Sequence, residues 1–393
     1  MKKDIVIIGA GPAGLSLACS LADTGFQIVI IEKQPISHLT NPTYDGREIA
    51  LTHFSKKILK ELNIWNRIPT KGVSLIKEAK VLDGNSSYTL HFNCKKIHKD
   101  ALGYLVSNHL IRKALYAEVI TKPNIKIIPN TSVMNVSTNY KYASVILANK
   151  KKIQTQLLIA ADSRFSKTRS NMGISATIQD FGRVAIVCKM QHQKSHNNIA
   201  YECFLYGETL AVLPLIQNTS SIIMTIPAEK STKMMNLNKS EFSTYVSNNF
   251  KKKLGKMKLL GKRYLYPLVG IFADSFIANR FALIGDAAVG MHPVTAHGFN
   301  LGLRGQYTLS KQIKAALGLG LDIGSPIILE QYHSKHRRVS RSLYLGTNAI
   351  VKLYTDDSLF SKIVRKTMLR IGNNFNPAKK KIIDQLTEIS EIT

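Results

Sequence analysis

The stretch Asp4-Ile-Val-Ile-Ile-Gly9-Ala-Gly11-Pro12-Ala13-Gly14 constrains this chain more than any other, because it reads as strand, tight turn and helix. The strand half is almost entirely aliphatic, as burial on both faces of a parallel sheet requires. Gly9 permits the sharp turn, Gly11 lets the backbone approach a pyrophosphate, and Gly14 lets the helix lie against the strand. Pro12 and Ala13 stand at the helix start, where free N–H groups and the positive dipole end favour phosphate. The helix carries Leu15, Leu17, Ala18 and Leu21, and a second strand, Gln27 to Ile31, ends in Glu32. That acid lies about 18 residues beyond Gly14, where a ribose-binding carboxylate of a dinucleotide fold is expected. A glycine turn without a ligand would explain the glycines but leave the strand-end acid as coincidence.

The 393 residues can hold two or three domains' worth of core, and 45% hydrophobic content is ordinary for a globular chain. The charge is unusual: 54 Lys and Arg against 25 Asp and Glu give +29. The lysines are scattered (Lys56-Lys57, Lys95-Lys96, Lys150 to Lys152, Lys251 to Lys253, Lys379 to Lys381) and no basic patch with interleaved aromatics stands out, which argues against a nucleic-acid groove. Such charge favours an anionic membrane surface. No run reaches the roughly 18 apolar residues of a membrane span, and the first helix, framed by Gly9 and Glu32, does not read as a signal peptide. Cys19, Cys94, Cys188 and Cys203 are far apart with no CxxC, so reduced thiols are expected and no metal site.

Along the chain, Arg47 follows Tyr44-Asp45-Gly46 beside the dinucleotide half, where it could contact phosphate or substrate or simply sit at the surface. A helix with Ile58, Leu59, Leu62 and Trp65 on one face follows. Alternating strands surround a hairpin turn at Asp83 to Ser86. Helix is expected from Ala101 to Val119, with Arg112 on its polar side, able to reach a phosphate or remain solvated. The strand Lys152 to Ala161 ends in Asp162-Ser163-Arg164, a ligand-facing turn by its small polar residues and arginines. From Gln179 to Pro227 the pattern is mostly strand (Arg183–Met190, Ile199–Leu205, Leu210–Leu215, Ser221–Ile226); a helix Ser240–Phe250 and a strand Tyr264–Val269 complete an antiparallel sheet. A short strand then ends in Gly285-Asp286, suited to a polyol hydroxyl, and a helix begins near Gly298-Phe299-Asn300, offering backbone donors to an anionic ring edge. Beyond Arg304 the chain reads as mainly helical, with a basic amphipathic tail over Ile327–Leu353 and Ser358–Ile371.

These separated motifs resemble, in order and spacing, the flavoprotein aromatic hydroxylases of the para-hydroxybenzoate hydroxylase type. The glycine turn with Glu32 is similar to their ADP-binding motif, Ala161-Asp162 with Arg169 to their "DG" motif, and Arg280 to Arg304 to their "GD" motif. Asp45 to Leu51, Trp65 and the Gly298 to Leu303 run resemble the ubiquinone-biosynthesis hydroxylases, and the form of Gly285 to Leu301 is most similar to the bacterial demethoxyubiquinol hydroxylase subgroup called UbiM. The resemblance implies an α/β fold: a Rossmann-like FAD-binding domain of the glutathione-reductase type, an inserted antiparallel β-sheet substrate domain and a helical C-terminal tail. The corresponding division is 1–72, 98–176 and 271–345 for the FAD-binding domain, 73–97 and 177–270 for the substrate domain, and 346–393 for the basic tail.

By position, the resemblance implies that Gly9, Gly11, Pro12, Ala13, Gly14 and Glu32 hold the ADP half of FAD. Arg47, Arg112 and Asp162 would lie at or near FAD, Asp286 at the ribitol and pyrophosphate, and Gly298, Phe299 and Asn300 at the pyrimidine edge of the flavin. Two departures stand out: Ser163 replaces the glycine of "DG", and His297 stands where most relatives have glutamine. The implied reaction is ring hydroxylation of a polyprenylated phenol or quinol, at the C5 position of demethoxyubiquinol in that subgroup. It would use O2, a C4a-hydroperoxide of the reduced flavin, and a reductant expected to be NAD(P)H. His292 and His297 could draw off the phenol proton by titrating near neutrality, or be loop histidines bonded to backbone. The protein would act in the cytoplasm, peripherally on the inner membrane face, in a quinone-biosynthesis assembly or alone. The alternatives are an FAD-fold prenyl-lipid binding protein and a prenyl reductase without ring hydroxylation.

Overall fold

The computed structural model describes residues 2–84, 88–205, 207–292, 297–355 and 376–392. β1 (Lys2–Ile8) is buried from Ile5 to Ile8, and leads through the glycine turn into α1 (Pro12–Ser20) and back into β2 (Ile28–Ile31). β3 (Glu48–Leu51) is followed by α2 (His53–Glu61), whose N-cap Thr52 accepts a hydrogen bond from the Ser55 N–H. The segment expected to be helical from Ala101 divides: Gly103–Ser107 is a strand, and α3 covers only Asn108–Val119. Tyr104-Leu105-Val106 pairs antiparallel with both β3 and Val73–Ile76, so sheet pairing overrides the helical period.

β4 (Lys152–Ala160) completes the nucleotide-binding sheet. β1 lies between β2 and β4, all parallel. Ile125–Ile128 extends the sheet beyond β2, and Phe281–Leu283 extends it beyond β4. The chain therefore returns, after its whole middle section, to a strand two places from the first one. A hairpin of Val133–Thr138 and Ala143–Leu147 pairs antiparallel with β4.

The second large sheet centres on β5 (Ala176–His192) and β6 (Met257–Ala273), each 17 residues long and much longer than the sequence pattern predicts. Their pairing continues through a break in register between Asp180 and Val184, where polar and glycine residues hide the strand from a periodicity reading. The strands Thr219–Pro227, Thr209–Pro214 and Ile199–Phe204 follow antiparallel, and Glu78–Asp83 joins the last of these in parallel. One face packs Ile186, Cys188 and Met224 against Phe242 and Val246 of the helix Lys239–Asn249. That helix begins with a capping box of Asn238 and Glu241. The other face looks towards β3 and the turn at Asp45.

α4 (His297–Gly318) packs on α1, and the helix Pro326–Thr355 packs on α4. α5 (Asn376–Thr387) closes the chain, with Ile383 against Leu90 and Phe92. Asn85 and Ser86 of the expected hairpin turn, and the expected helix over Ser358–Ile371, lie outside the described residues. Among the described residues, no helix is long and apolar enough to cross a membrane, and no cluster of His, Cys, Asp and Glu could hold a metal ion. The four cysteines are buried free thiols; burial pushes Cys19, Cys188 and Cys203 up to about 12.

Candidate functional site

The three glycines of the opening turn have different physical reasons. Gly9 has φ +108°, and a Cβ there would stand 2.4 Å from the Ala161 carbonyl oxygen. A Cβ on Gly14 would stand 2.1 Å from the Gly9 oxygen. The chain itself therefore demands both. Gly11 is different: its backbone is in the ordinary extended region and a Cβ there would meet nothing within 4 Å. The space over Gly11 is left open at the N-terminus of α1, which no side chain caps. Open space, unfilled helix-end N–H groups and a neighbouring ribose acid are what an FAD pyrophosphate requires, so these residues fit the cofactor. The acid is Glu32, buried at the end of β2, where it accepts from the Ala10 N–H at 2.7 Å and the Gln34 N–H at 2.9 Å. Each carboxylate oxygen keeps a further lone pair for a sugar hydroxyl.

The other two motifs close on this turn. Ala161 donates its N–H to Ile8, which seats the "DG" segment directly against Gly9. Asp162 turns back on its own loop, accepting from Ser166 Oγ at 2.5 Å and from Thr168 Oγ1 at 2.8 Å. Ser163, in the place of the family's glycine, has φ +93°, so the backbone keeps a glycine-type conformation under a serine. Gly285, with φ +60°, is pressed against Ala13: a Cβ there would come within 2.8 Å of the alanine methyl. Arg164 donates to Asp286 Oδ2 at 3.2 Å and to the Val269 oxygen at 2.7 Å, and Arg169 donates to the Ala287 oxygen at 3.1 Å. The "DG" loop thus holds the "GD" loop in place through two arginines. The pairing of Arg164 with Asp286 has no local sequence signal, since it depends on strands that meet only in the fold.

Arg47 is half exposed, forks onto Asp45 at 2.6 Å and lies over the Tyr266 ring at 5.5 Å from its centroid. Arg112 donates to the His38 oxygen at 3.2 Å and feels the charges of Asp45, Arg47 and Glu32, so the two arginines and Glu32 share one edge of the nucleotide half. Asn300 is buried with its side chain committed to the scaffold: it accepts from the Thr52 N–H at 3.1 Å and donates to the Ala50 oxygen at 2.8 Å. This ties the start of α4 to the junction of β3 and α2. Gly298 faces open space, and Phe299 is half-buried against the core.

The two histidines differ in setting. His297 is buried with Nε2 at 3.1 Å from the Gln385 oxygen of α5, while its Nδ1 is buried without a partner among the described residues. His292 stacks edge-on to Phe181 at 4.9 Å. Burial, and then the charge of Arg183, push His292 down to about 4. It is therefore uncharged at neutral pH, and the expectation that it titrates near neutrality does not hold.

A polar row on the inner face of the second sheet has no counterpart in the sequence reading. Lys189 of β5 reaches across to Glu48 of β3 at 3.0 Å, and Glu48 also accepts from Ser107 at 2.7 Å and Tyr44 at 3.3 Å. Tyr264 packs edge-on to Tyr44, and Tyr266 donates its hydroxyl to the Asp45 oxygen at 2.5 Å. Burial and then the Glu48 charge raise the Tyr44 phenol far above its ordinary value. The available signal was a lone lysine inside the buried run Val184 to Met190.

Residues 2–345 match the family model described as "FAD binding domain". The chain is 46% identical to the ubiquinone hydroxylase UbiM of Neisseria meningitidis, over 98% of this chain and 85% of that protein. It is 29% identical to the ubiquinone hydroxylase UbiL of Rhodospirillum rubrum, over 96% and 87%. Among solved structures, the p-nitrophenol 4-monooxygenase PnpA of Pseudomonas putida superposes with a TM-score of 0.78 at 16% identity, covering 98% of both chains, which speaks to the fold. The sheet topology, the three motifs gathered on one turn and these likenesses together place the chain: it belongs to the FAD-binding flavoprotein family, in its ubiquinone hydroxylase branch, and is an FAD-dependent monooxygenase.

Proposed function

We propose that this enzyme hydroxylates the ring of a polyprenylated phenol or quinol in ubiquinone biosynthesis, at C5 of demethoxyubiquinol, drawing electrons from NAD(P)H. The observation that carries the reading is the meeting of the glycine turn, the Asp162 loop and the Asp286 loop on one open patch at Gly11, in a chain 46% identical to a ubiquinone hydroxylase. Bound FAD, once reduced, activates dioxygen and supplies one oxygen atom to the ring. The chain's own residues do the rest. The N-terminus of α1 and Gly11 receive the pyrophosphate, Glu32 the ribose, and Asp286, oriented by Arg164, the ribitol. Arg47 and Arg112 supply positive charge at the cofactor's edge. Gly298 and Phe299 would border the ring, while Asn300 fixes the helix that carries them. His297, one nitrogen tied to α5 and the other unpartnered, is the better placed of the two histidines to hold the phenol proton.

The division into an FAD-binding domain (1–72, 98–176, 271–345), a substrate domain (73–97, 177–270) and a basic tail (346–393) is part of this reading, as is peripheral attachment to the inner membrane face. Expression in strains each lacking one ring hydroxylase of ubiquinone synthesis tests it. Restored ubiquinone in the C5-deficient strain is expected. Restoration only in another strain would move the reaction to that carbon, and restoration in none would sink the reading. Within such an assay, His297→Gln is expected to retain FAD and change hydroxylation; unchanged turnover would remove His297 from proton transfer.

A further inference from the structure

The strand Ile199–Phe204 lies inside the second sheet, and its side chains alternate between two surroundings. Tyr201 and Cys203 join the core packed under the helix Lys239–Asn249. Glu202, between them, points to the opposite, inner face. Strand pairing sets Val81, Glu202, Ala211, Ile223, Val187 and Tyr264 in one row across that face. Glu202 is the one acid in the row, and it makes no ion pair among the described residues.

The row forms a floor that adjoins elements assigned to the cofactor on two sides. Val81, Glu202 and Ile223 are half-buried, so the floor keeps accessible surface where the opposite face of the sheet is sealed. Ala200, two residues before Glu202, shares a cluster with Ala50 of β3. The Ala50 oxygen is held by Asn300 at the start of α4, beside Gly298 and Phe299, which border the flavin ring in the reading above. At the end of the row, Tyr264 lies against the turn that precedes Arg47: a Cβ on Gly46 would stand 2.5 Å from its ring.

A carboxyl on this floor gives folding nothing. An aliphatic side chain of the same size would fill the place without desolvating a polar group. Burial pushes the carboxyl up to about 8, against a smaller opposing effect of the Thr209 hydroxyl. Near neutral pH it is therefore mostly the uncharged acid, with one O–H to donate. A group that costs stability and borders uncovered surface beside a cofactor site is accounted for by a ligand. We propose that Glu202 is a specificity-determining contact for the substrate: its carboxyl donates a hydrogen bond to an oxygen on the quinol ring, while Ala211 and Ile223 support the flat face of that ring. The proposal rests on the polyprenyl-quinol reading above and adds the contact that recognises the ring as an oxygenated one. A site built to hydrogen-bond a substrate oxygen rejects an analogue without it, because the buried donor is then left unpaired.

The test measures binding to full-length, FAD-loaded, oxidised enzyme without reductant, read as the change in flavin absorbance. The two ligands titrated are a short-tailed demethoxyubiquinol and an alkylbenzene of the same tail with no ring oxygen. Wild type should bind the quinol at least about tenfold more tightly. Glu202→Leu should lose that preference: quinol binding weakens about tenfold and alkylbenzene binding is unchanged. Its FAD content should equal that of wild type, and its melting temperature should be the same or higher. Glu202→Gln, which keeps a donor, should bind the quinol within about threefold of wild type. Unchanged quinol binding in Glu202→Leu would overturn the contact, as would equal binding of the two ligands by wild type. Glu202→Gln as weak as Glu202→Leu would overturn the donor role, and a melting temperature lowered in both variants would make the carboxyl structural. Wild type that prefers the quinol through Glu202 yet oxygenates no ring would sink the substrate reading alone. Ring oxygenation with a KM untouched by Glu202→Leu would sink the contact alone.

Discussion

The turn at Gly9–Gly14 and the inner face of the second sheet are both tightly built, but by opposite means. At the turn, the constraints are steric and backbone-level: a single Cβ at Gly9 or Gly14 would strike main-chain atoms. On the sheet's inner face they are side-chain pairs that join residues far apart in sequence, such as Lys189 with Glu48 and Tyr266 with the Asp45 carbonyl. A steric requirement leaves its mark in the local sequence, as a glycine. A cross-sheet pair leaves almost none, because either partner alone is an ordinary polar residue.

The glycines separate the two kinds of constraint most directly. Gly14→Val should unfold the nucleotide half, lowering stability by about 3 kcal/mol or more through backbone overlap. Gly11→Ala should leave apo stability within about 0.5 kcal/mol and weaken FAD binding at least about tenfold by intruding on the pyrophosphate. Thermal unfolding of the apoprotein and a flavin fluorescence titration separate the two. A loss of apo stability in Gly11→Ala would show that the chain, and not the ligand, required that glycine.

Lys189→Met sharpens the other side. Glu48 would be left buried with only Ser107 and Tyr44, a loss of about 3 kcal/mol in urea unfolding, with FAD content retained. Loss of FAD together with stability would mean that the two regions are not independent.

Acidification comes next. The folded pKa of His292, about 4, lies below the ordinary 6.5. The unfolded chain therefore binds this proton first, and stability present above about pH 6.5 is lost as pH falls towards 4, by about 3 kcal/mol at most. His336, pushed down to about 3 by burial, acts in the same direction. His292→Phe should flatten the melting-temperature profile between these pH values; an unchanged profile would discard His292 as a contributor.

The smallest effect belongs to Ser163. Its φ of +93° costs a serine about 1 kcal/mol that a glycine would not incur, so Ser163→Gly should raise stability by that amount. A decrease would mean that the serine side chain has its own role in the loop.

How far the sequence could be read follows the same division. The glycine turn, Glu32, the Asp162 loop and the Asp286 loop were legible because each is a short run whose residue types answer a local backbone or charge requirement. Gly103–Ser107 was misread as helix because its neighbours β3 and Val73–Ile76, not its own period, decide its state. The ends of β5 and β6 were missed where the register breaks near Asp180. The clasp of Glu388 on Thr52 and Arg304, and the contact of His297 with Gln385, join residues 84 or more positions apart and could not be read from spacing. The bonds of the Asn300 amide to Thr52 and Ala50, which tie α4 to β3, likewise had no signal in the local sequence.

The central claim is that the gathered motifs hold one FAD used to oxygenate a quinol ring. Purified enzyme supplied with NAD(P)H, a short-tailed demethoxyubiquinol and oxygen-18 gas tests it directly by mass spectrometry of the quinol. One labelled oxygen on the ring is expected, with loss of that product in Gly11→Ala. A fully flavin-loaded enzyme that consumes reductant and leaves every ring unlabelled would contradict it.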